Sequence, residues 1–208
     1  MSGFQRPEAG KGGGDNTPIE SLGKGKFKAR LVGVVSLGLF QDTHKGKVKK
    51  PAEKMSLLVE VIGKTVELGD ETVPRTMWVN PFNYWELLTG KGNELKWYLA
   101  FDEMAEEDDV PDWEAMLGKA IYIVNKPNDK GYDDIESLVS MDEEVAANLP
   151  PAETELFIDD AESVKDKLFG LAKYQYEQPH YEAEATSAQS AQGTIMGDAL
   201  SDTDDNPY

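Results

Sequence analysis

From Lys26 the chain alternates. Phe27, Ala29, Leu31, Val35, Leu37 and Leu39 fall on one side of an extended segment, and Lys28, Arg30 and Ser36 on the other. A two-residue period of this kind predicts a strand with one buried face. The strand ends at Phe40 and bends near Gly33 or Gly38, since glycine inside a strand marks a bulge or kink. Thr43 to Lys54 carries five lysines with Gly46 and Pro51, too polar for a core, and reads as a basic loop. Met55 to Ile62 and Val73 to Val79 are a second and third strand, separated by Gly63 and a turn at Gly69-Asp70. The period then becomes helical. Asn83 with Glu86 resembles a capping box, and Gly90 stops that short helix. Asn93 starts another with Leu95, Tyr98, Leu99 and Asp102, and Pro111 opens a turn bearing Trp113, Met116 and Leu117. Ala120 to Val124 and Tyr132 to Ser140 are strands four and five, joined by the turn-rich Asn125 to Gly131. After Pro150-Pro151, Val164, Leu168 and Leu171 define one face of a helix from Ala161 to about Gln175, which packs back on the domain.

These elements predict a mainly β (α+β) fold: a five-stranded OB-fold barrel, a helical insertion between strands three and four, a C-terminal helix and a disordered acidic tail, in an element order that other small β-rich domains share. The divisions are a flexible arm over 1–22, the barrel over 23–142, an extension over 143–178 and the tail over 179–208. That last stretch has six acids and neither Lys nor Arg.

The absence of cysteine among 208 residues removes disulfides, thiolate zinc sites and cysteine nucleophiles, and fits a reducing cytosol. Leu31 to Phe40, the longest apolar run, has ten residues including Ser36 and two glycines. It is too short to span a membrane and too far from the start to be a secretory signal, so a soluble, intracellular protein is expected. The net charge of −18 argues against a nucleic-acid partner until it is divided. Residues 1–64 hold 12 basic and 6 acidic side chains, so the excess of acids lies entirely beyond them. With charges screened over about 8 Å at physiological salt, a local basic face survives if it stands apart from the acids.

Catalytic patterns do not appear. Gly63-Lys64-Thr65 ends like a P-loop, but Leu58 stands where its first glycine belongs. His44 and His180 have no nucleophile or metal-ligand pattern around them, and Glu106 to Asp109 and Asp142 to Glu144 lack calcium-loop spacing. A non-enzymatic protein without cofactor or metal is expected.

The ingredients of single-strand recognition are present: cations for phosphates and aromatic planes for bases. Lys28, Arg30, Lys45, Lys47, Lys49, Lys50, Lys54, Arg75, Lys126 and Lys130 are the candidate phosphate contacts. Phe40, Trp78, Tyr122 and Tyr132 are the candidate stacking rings; Trp78 opposes Met77 and Val79 by alternation, and Tyr122 opposes Ile121 and Ile123. In the tail, Asp202, Asp204 and Asp205 precede Pro207 and the aromatic Tyr208, a peptide suited to the chain's own basic groove or to a partner protein.

Ala29-Arg30-Leu31-Val32-Gly33-Val34, Leu37-Gly38, Gln41-Asp42-Thr43, the basic insertion after them, Leu117-Gly118-Lys119 and the acidic, aromatic-terminated end resemble the single-stranded DNA-binding proteins of tailed bacteriophages. The resemblance covers about residues 26 to 140 plus the tail. It implies an OB-fold, cooperative coating of DNA replication or recombination intermediates, and a tail that recruits a phage DNA polymerase, helicase or recombinase. Such tails often close with an unbroken acidic run and Phe, whereas Asn206-Pro207-Tyr208 closes this one. The contrasting expectation is an acidic adaptor or DNA mimic that presents carboxylates to a nucleic-acid-binding protein and binds no DNA itself.

Overall fold

The structure, a computed structural model, describes residues 19–90 and 92–181. Most of the N-terminal arm, and the tail residues Asp202, Asp204, Asp205 and Tyr208, lie outside those residues. The chain is mainly β. Its order is β1 (Gly25–Phe40), β2 (Thr43–His44), β3 (Lys47–Val48), β4 (Ala52–Leu68), β5 (Glu71–Trp78), β6 (Phe82–Tyr84), α1 (Asn93–Tyr98), α2 (Trp113–Met116), β7 (Ala120–Asn125), β8 (Ile135–Val139), α3 (Glu143–Ala147), β9 (Phe157–Asp160) and α4 (Gly170–Tyr176).

The main sheet runs β5-β4-β1-β7-β8 with antiparallel neighbours, β6 added beside β4 and β9 parallel to β1. It is not a closed barrel. Among the described residues no ladder joins β5 to β8. Side chains link these two ends instead: Arg75 Nη2 lies 2.7 Å from Asp133 Oδ2, and Asn80 Nδ2 donates to Asp134 Oδ1 at 3.1 Å.

Strand β1 corrects the expectation of a single apolar face. Its pairing with β4 shifts register between Leu31 and Gly33 and again between Ser36 and Gly38, where Gly38 has φ +103°. Each extra residue reverses the alternation. Ala29, Leu31 and Val34 therefore enter one apolar cluster, and Val32, Val35, Leu37 and Phe40 another. The inner cluster fills the space between the curled sheet and the insert, with Leu57, Val59, Trp97, Trp113 and Ile121 at its centre. The outer one lies between β1, β4 and β5 and the C-terminal extension, which contributes Ala161, Val164, Leu168 and Ala172. Burying one such aliphatic side chain stabilises by about 1.5–3 kcal/mol, so the extension is an integral layer of the fold.

Two predicted helices differ. The segment expected to coil from Asn83 forms β6 instead, pairing Glu53 with Tyr84 and Met55 with Phe82. The helix expected from Ala161 to Gln175 is split into a 3-10 turn over Lys165–Lys167 and the short α4. Phe169 is extended there and Gly170 has φ +60°, so the backbone leaves the helix before re-entering it. Val164 and Leu168 face the sheet as the apolar spacing predicts, but Ala172 takes the buried place expected of Leu171, because the break at Phe169 and Gly170 turns the last helix. Strand β9 was not foreseen. It lies along Gly33–Ser36, where the edge of Phe157 occupies the space a side chain on Gly33 would need: an added Cβ would meet Phe157 Cζ at 2.5 Å.

Candidate nucleic-acid interface

Strand pairing places Lys28 opposite Tyr122 and Lys26 opposite Val124, while Tyr122 and Val124 face Val139 and Ser137 of β8. These side chains share the face of β1, β7 and β8 turned away from Ile121, Ile123 and Leu138 of the inner core. Lys26 and Lys28 are exposed, Tyr122 is half-buried, and Lys26 Nζ sits 3.8 Å above the centre of the Tyr122 ring. At this contact the ammonium adds attraction to the ring face. Lys26 is the residue the sequence reading missed, although the alternation that singled out Lys28 and Arg30 extends to it.

The same strand pair ends in a loop of defined shape. Asn128 Oδ1 accepts from the N–H groups of Lys130 and Tyr132, and the Asn128 N–H donates to the Tyr132 carbonyl at 2.8 Å. This leaves Lys130 exposed and Tyr132 59% exposed. Lys126 is exposed as well and pairs with Glu136 at 3.3 Å.

At the other end of β1, Lys45, Lys47, Lys49 and Lys50 are exposed on the β2–β3 hairpin and beside it. Lys45 and Gly46 both have positive φ, 50° and 75°, as a two-residue hairpin turn of the mirror-image type requires. Sixteen residues of β1 separate this hairpin from the Lys126–Tyr132 loop.

The expectation of one channel joining all the candidates is therefore corrected, because five of them are engaged elsewhere. Arg30 donates from Nη1 to the Gly118 carbonyl, from Nε to Pro150, and from Nη2 to Leu149 and Ala146; it clamps the extension to the sheet. Arg75 is buried against Asp133. Lys54 binds Asp42 at 3.0 Å and Gln175 at 3.1 Å. Phe40, 4% exposed, carries the His180 ring at 4.7 Å. Trp78, 8% exposed, donates from Nε1 to the Lys167 carbonyl and meets Phe169 edge-on. Neither ring is open to a base, because the extension covers the outer face of β1, β4 and β5. The alternation that turned Trp78 away from the inner core was read correctly, but a second layer lies on that side.

The carboxyl groups of Asp133 and Glu94 are enclosed outside this interface. Asp133 accepts from Ser21 Oγ at 2.6 Å, the Leu22 N–H at 2.9 Å, Asn125 Nδ2 at 2.7 Å and Arg75. Burial works to raise its pKa, but these hydrogen bonds and the guanidinium outweigh it and hold the group below its ordinary value. Glu94 is fully buried, and burial pushes its pKa up to about 7 against hydrogen bonds from the Trp85 N–H and Trp113 Nε1.

Among the described residues no group of three or more His, Asp or Glu side chains is placed to hold a metal ion, and no helix is long and apolar enough to cross a membrane. No family model, curated protein or solved structure matches the chain.

Proposed function

We propose that the protein binds single-stranded DNA with little sequence preference and without catalysis, protecting intermediates of replication or recombination in the manner of the tailed-bacteriophage proteins it resembles. The observation that carries this is the open row of Lys26, Lys28 and Tyr122, continued by the loop bearing Lys126, Lys130 and Tyr132. It combines phosphate-directed cations with rings whose faces suit any base. An OB-fold is the finer description of the scaffold. The long strands cross the sheet in chain order third, second, first, fourth, fifth, with the helical insert between third and fourth, and OB-folds are partly open five-stranded barrels whose connecting loops grip oligonucleotides.

Titration of a fluorescent oligothymidine with the full chain across a salt series tests this. Neutralising about five phosphates gives a slope of about −3.5 for log K against log salt; absence of binding at low salt rejects the proposal. Tyr122→Ala is expected to weaken binding by about 1–3 kcal/mol, the increment for one stacked base. An unchanged dissociation constant would remove Tyr122 from the interface. Deleting 179–208 takes His180 off Phe40 and removes an acidic segment, so binding at low salt should tighten several-fold, an effect that fades as salt screens the competition. Equal or weaker affinity in the shortened chain counts against a competing tail.

A second class of function has its own support in the insert. Trp85, Leu87, Met104 and Val110 are exposed there beside Glu103 and the acids from Glu106 to Asp109, a surface suited to a basic protein. The same titration separates the two, since an adaptor of this kind leaves oligothymidine free.

A further inference from the structure

Two exposed surfaces of opposite charge have no part in the open row of Lys26, Lys28 and Tyr122, and they lie at one end of the sheet. On the β2–β3 hairpin and just beyond it Lys45, Lys47, Lys49 and Lys50 are exposed, residues 43–50 contain no acid, and Val48 is 66% exposed. On the insert the Leu88 N–H donates to the Asp109 carbonyl at 2.8 Å and the Asp108 N–H to the Leu88 carbonyl at 2.9 Å, which sets Leu87 beside Val110. Both are exposed, as are Trp85 and, at 85%, Met104, with Glu103 and the acids from Glu106 to Asp109 along the same segments. None of these lysines and acids enters an ion pair among the described residues. Single exposed apolar side chains are ordinary, but a group of them flanked by unpaired charge marks an interaction surface. Each surface supplies what the other lacks: cations beside an aliphatic side chain on the hairpin, anions beside apolar ones on the insert.

We propose that the protein forms a two-fold homodimer in which the β2–β3 hairpin of each copy docks on the insert of the other. The hairpin leads through Pro51 into the start of β4, and β6, which leads into Trp85, pairs Tyr84 with Glu53 at that same start. Within one copy the two surfaces therefore stand near each other, yet both stay exposed. A two-fold rotation beside them lays each on its complement, and the two contacts so formed close the assembly. Val48 and the lysine stems cover Leu87, Met104 and Val110 while the ammonium groups meet the carboxylates. The row of Lys26, Lys28 and Tyr122 belongs to the other end of β1 and stays open on both copies. The dimer goes beyond the single-strand reading and does not depend on it.

Sedimentation of the full chain without DNA, at about 50 mM and about 500 mM salt, tests this. At the lower salt and about 10 μM the chain should run at twice its own mass. The dissociation constant should rise at least about tenfold at the higher salt, which screens the charges that meet. Lys47→Glu with Lys49→Glu, and separately Glu106→Lys with Glu107→Lys, set like charges against each other. Each pair should raise the dissociation constant about a hundredfold. Mixed in equal amounts, the two variants should associate again, because both hairpins of the mixed dimer meet an insert of opposite charge. Misfolded variants would not recover in this way. A full chain that stays monomeric at about 100 μM in low salt overturns the proposal. So does a dimer that both reversals leave intact, or a mixture of the two variants that stays monomeric. If dimers form only once residues 182–208 are removed, the acidic tail occupies the hairpin in the full chain and the proposal fails.

Discussion

Asp133→Ala is expected to lower the free energy of unfolding by about 3–5 kcal/mol, the range for removing one member of a buried ion pair. The Asp133 side chain is 5% exposed and that of Arg75 11%. The guanidinium already has Nε and Nη1 buried without partners, so losing the carboxylate leaves a buried charge with neither counter-ion nor compensating acceptor. Three more donors lose this acceptor: the Leu22 N–H, Ser21 Oγ, which is exposed to water, and Asn125 Nδ2, which keeps the Gly23 carbonyl. These groups come from the segment before β1, from the end of β7 and from β5, so the variant also loosens the two ends of the sheet from each other. Urea denaturation of both proteins at neutral pH measures the difference, and a loss below about 1 kcal/mol would show that water or rearrangement replaces the node. The pH dependence has a fixed sign. The carboxyl is depressed below its ordinary value of 3.8 in the folded state, so its contribution is complete above that pH and disappears as the pH falls through the folded pKa.

Glu94→Gln is expected to act in the opposite direction and in another pH window. The Glu94 carboxyl titrates near 7 in the folded protein against 4.5 ordinarily. Between these values the unfolded chain loses its proton while the folded one keeps it. Stability is therefore whole below about pH 4.5, falls as pH rises towards 7, and is level above that. At about 1.36 kcal/mol per unit the loss across the window is on the order of 3 kcal/mol. Glutamine carries no charge, and its one oxygen keeps the 3.0 Å bond from the Trp85 N–H, while its amide nitrogen faces Trp113 Nε1, whose 3.4 Å bond to the other oxygen is lost at a cost of about 1 kcal/mol at every pH. From pH 4.5 to pH 8 Glu94→Gln should still gain on the order of 3 kcal/mol relative to the unaltered protein. Urea midpoints at the two pH values decide it. Parallel pH profiles for the two proteins would mean that Glu94 ionises as freely folded as unfolded.

The sequence carried the sheet well because alternation survives wherever only one side of a strand is dry. Ile121 and Ile123 against Tyr122 were legible for this reason, as were Met77 and Val79 against Trp78; that Lys28 lies beside Tyr122 came only from the register between β1 and β7. Alternation could not reveal that the wet side of Trp78 would be covered, because the covering residues Val164 and Leu168 lie some ninety positions away. Gly33 and Gly38 did mark where β1 departs from regular pairing, but alternation could not show that the two register shifts there move Val35 and Leu37 to the outer layer. The helix expected at Asn83 shows the same limit. A capping pattern competes with the edge of β4, and pairing there while burying Phe82 prevailed. Glu94 and Asp133 were indistinguishable from the solvated acids around them, since what sets them apart is a tertiary enclosure.

The layer laid down by residues 152–176 also governs where the chain can be cut. A fragment ending near residue 150 would carry Val32, Val35, Leu37, Phe40, Leu58 and Trp78 bare, a sticky patch that promotes self-association. Poor recovery of DNA binding in such a fragment would report aggregation rather than a lost contact. A boundary drawn after Tyr181 keeps the patch sealed, because His180 then stays on Phe40.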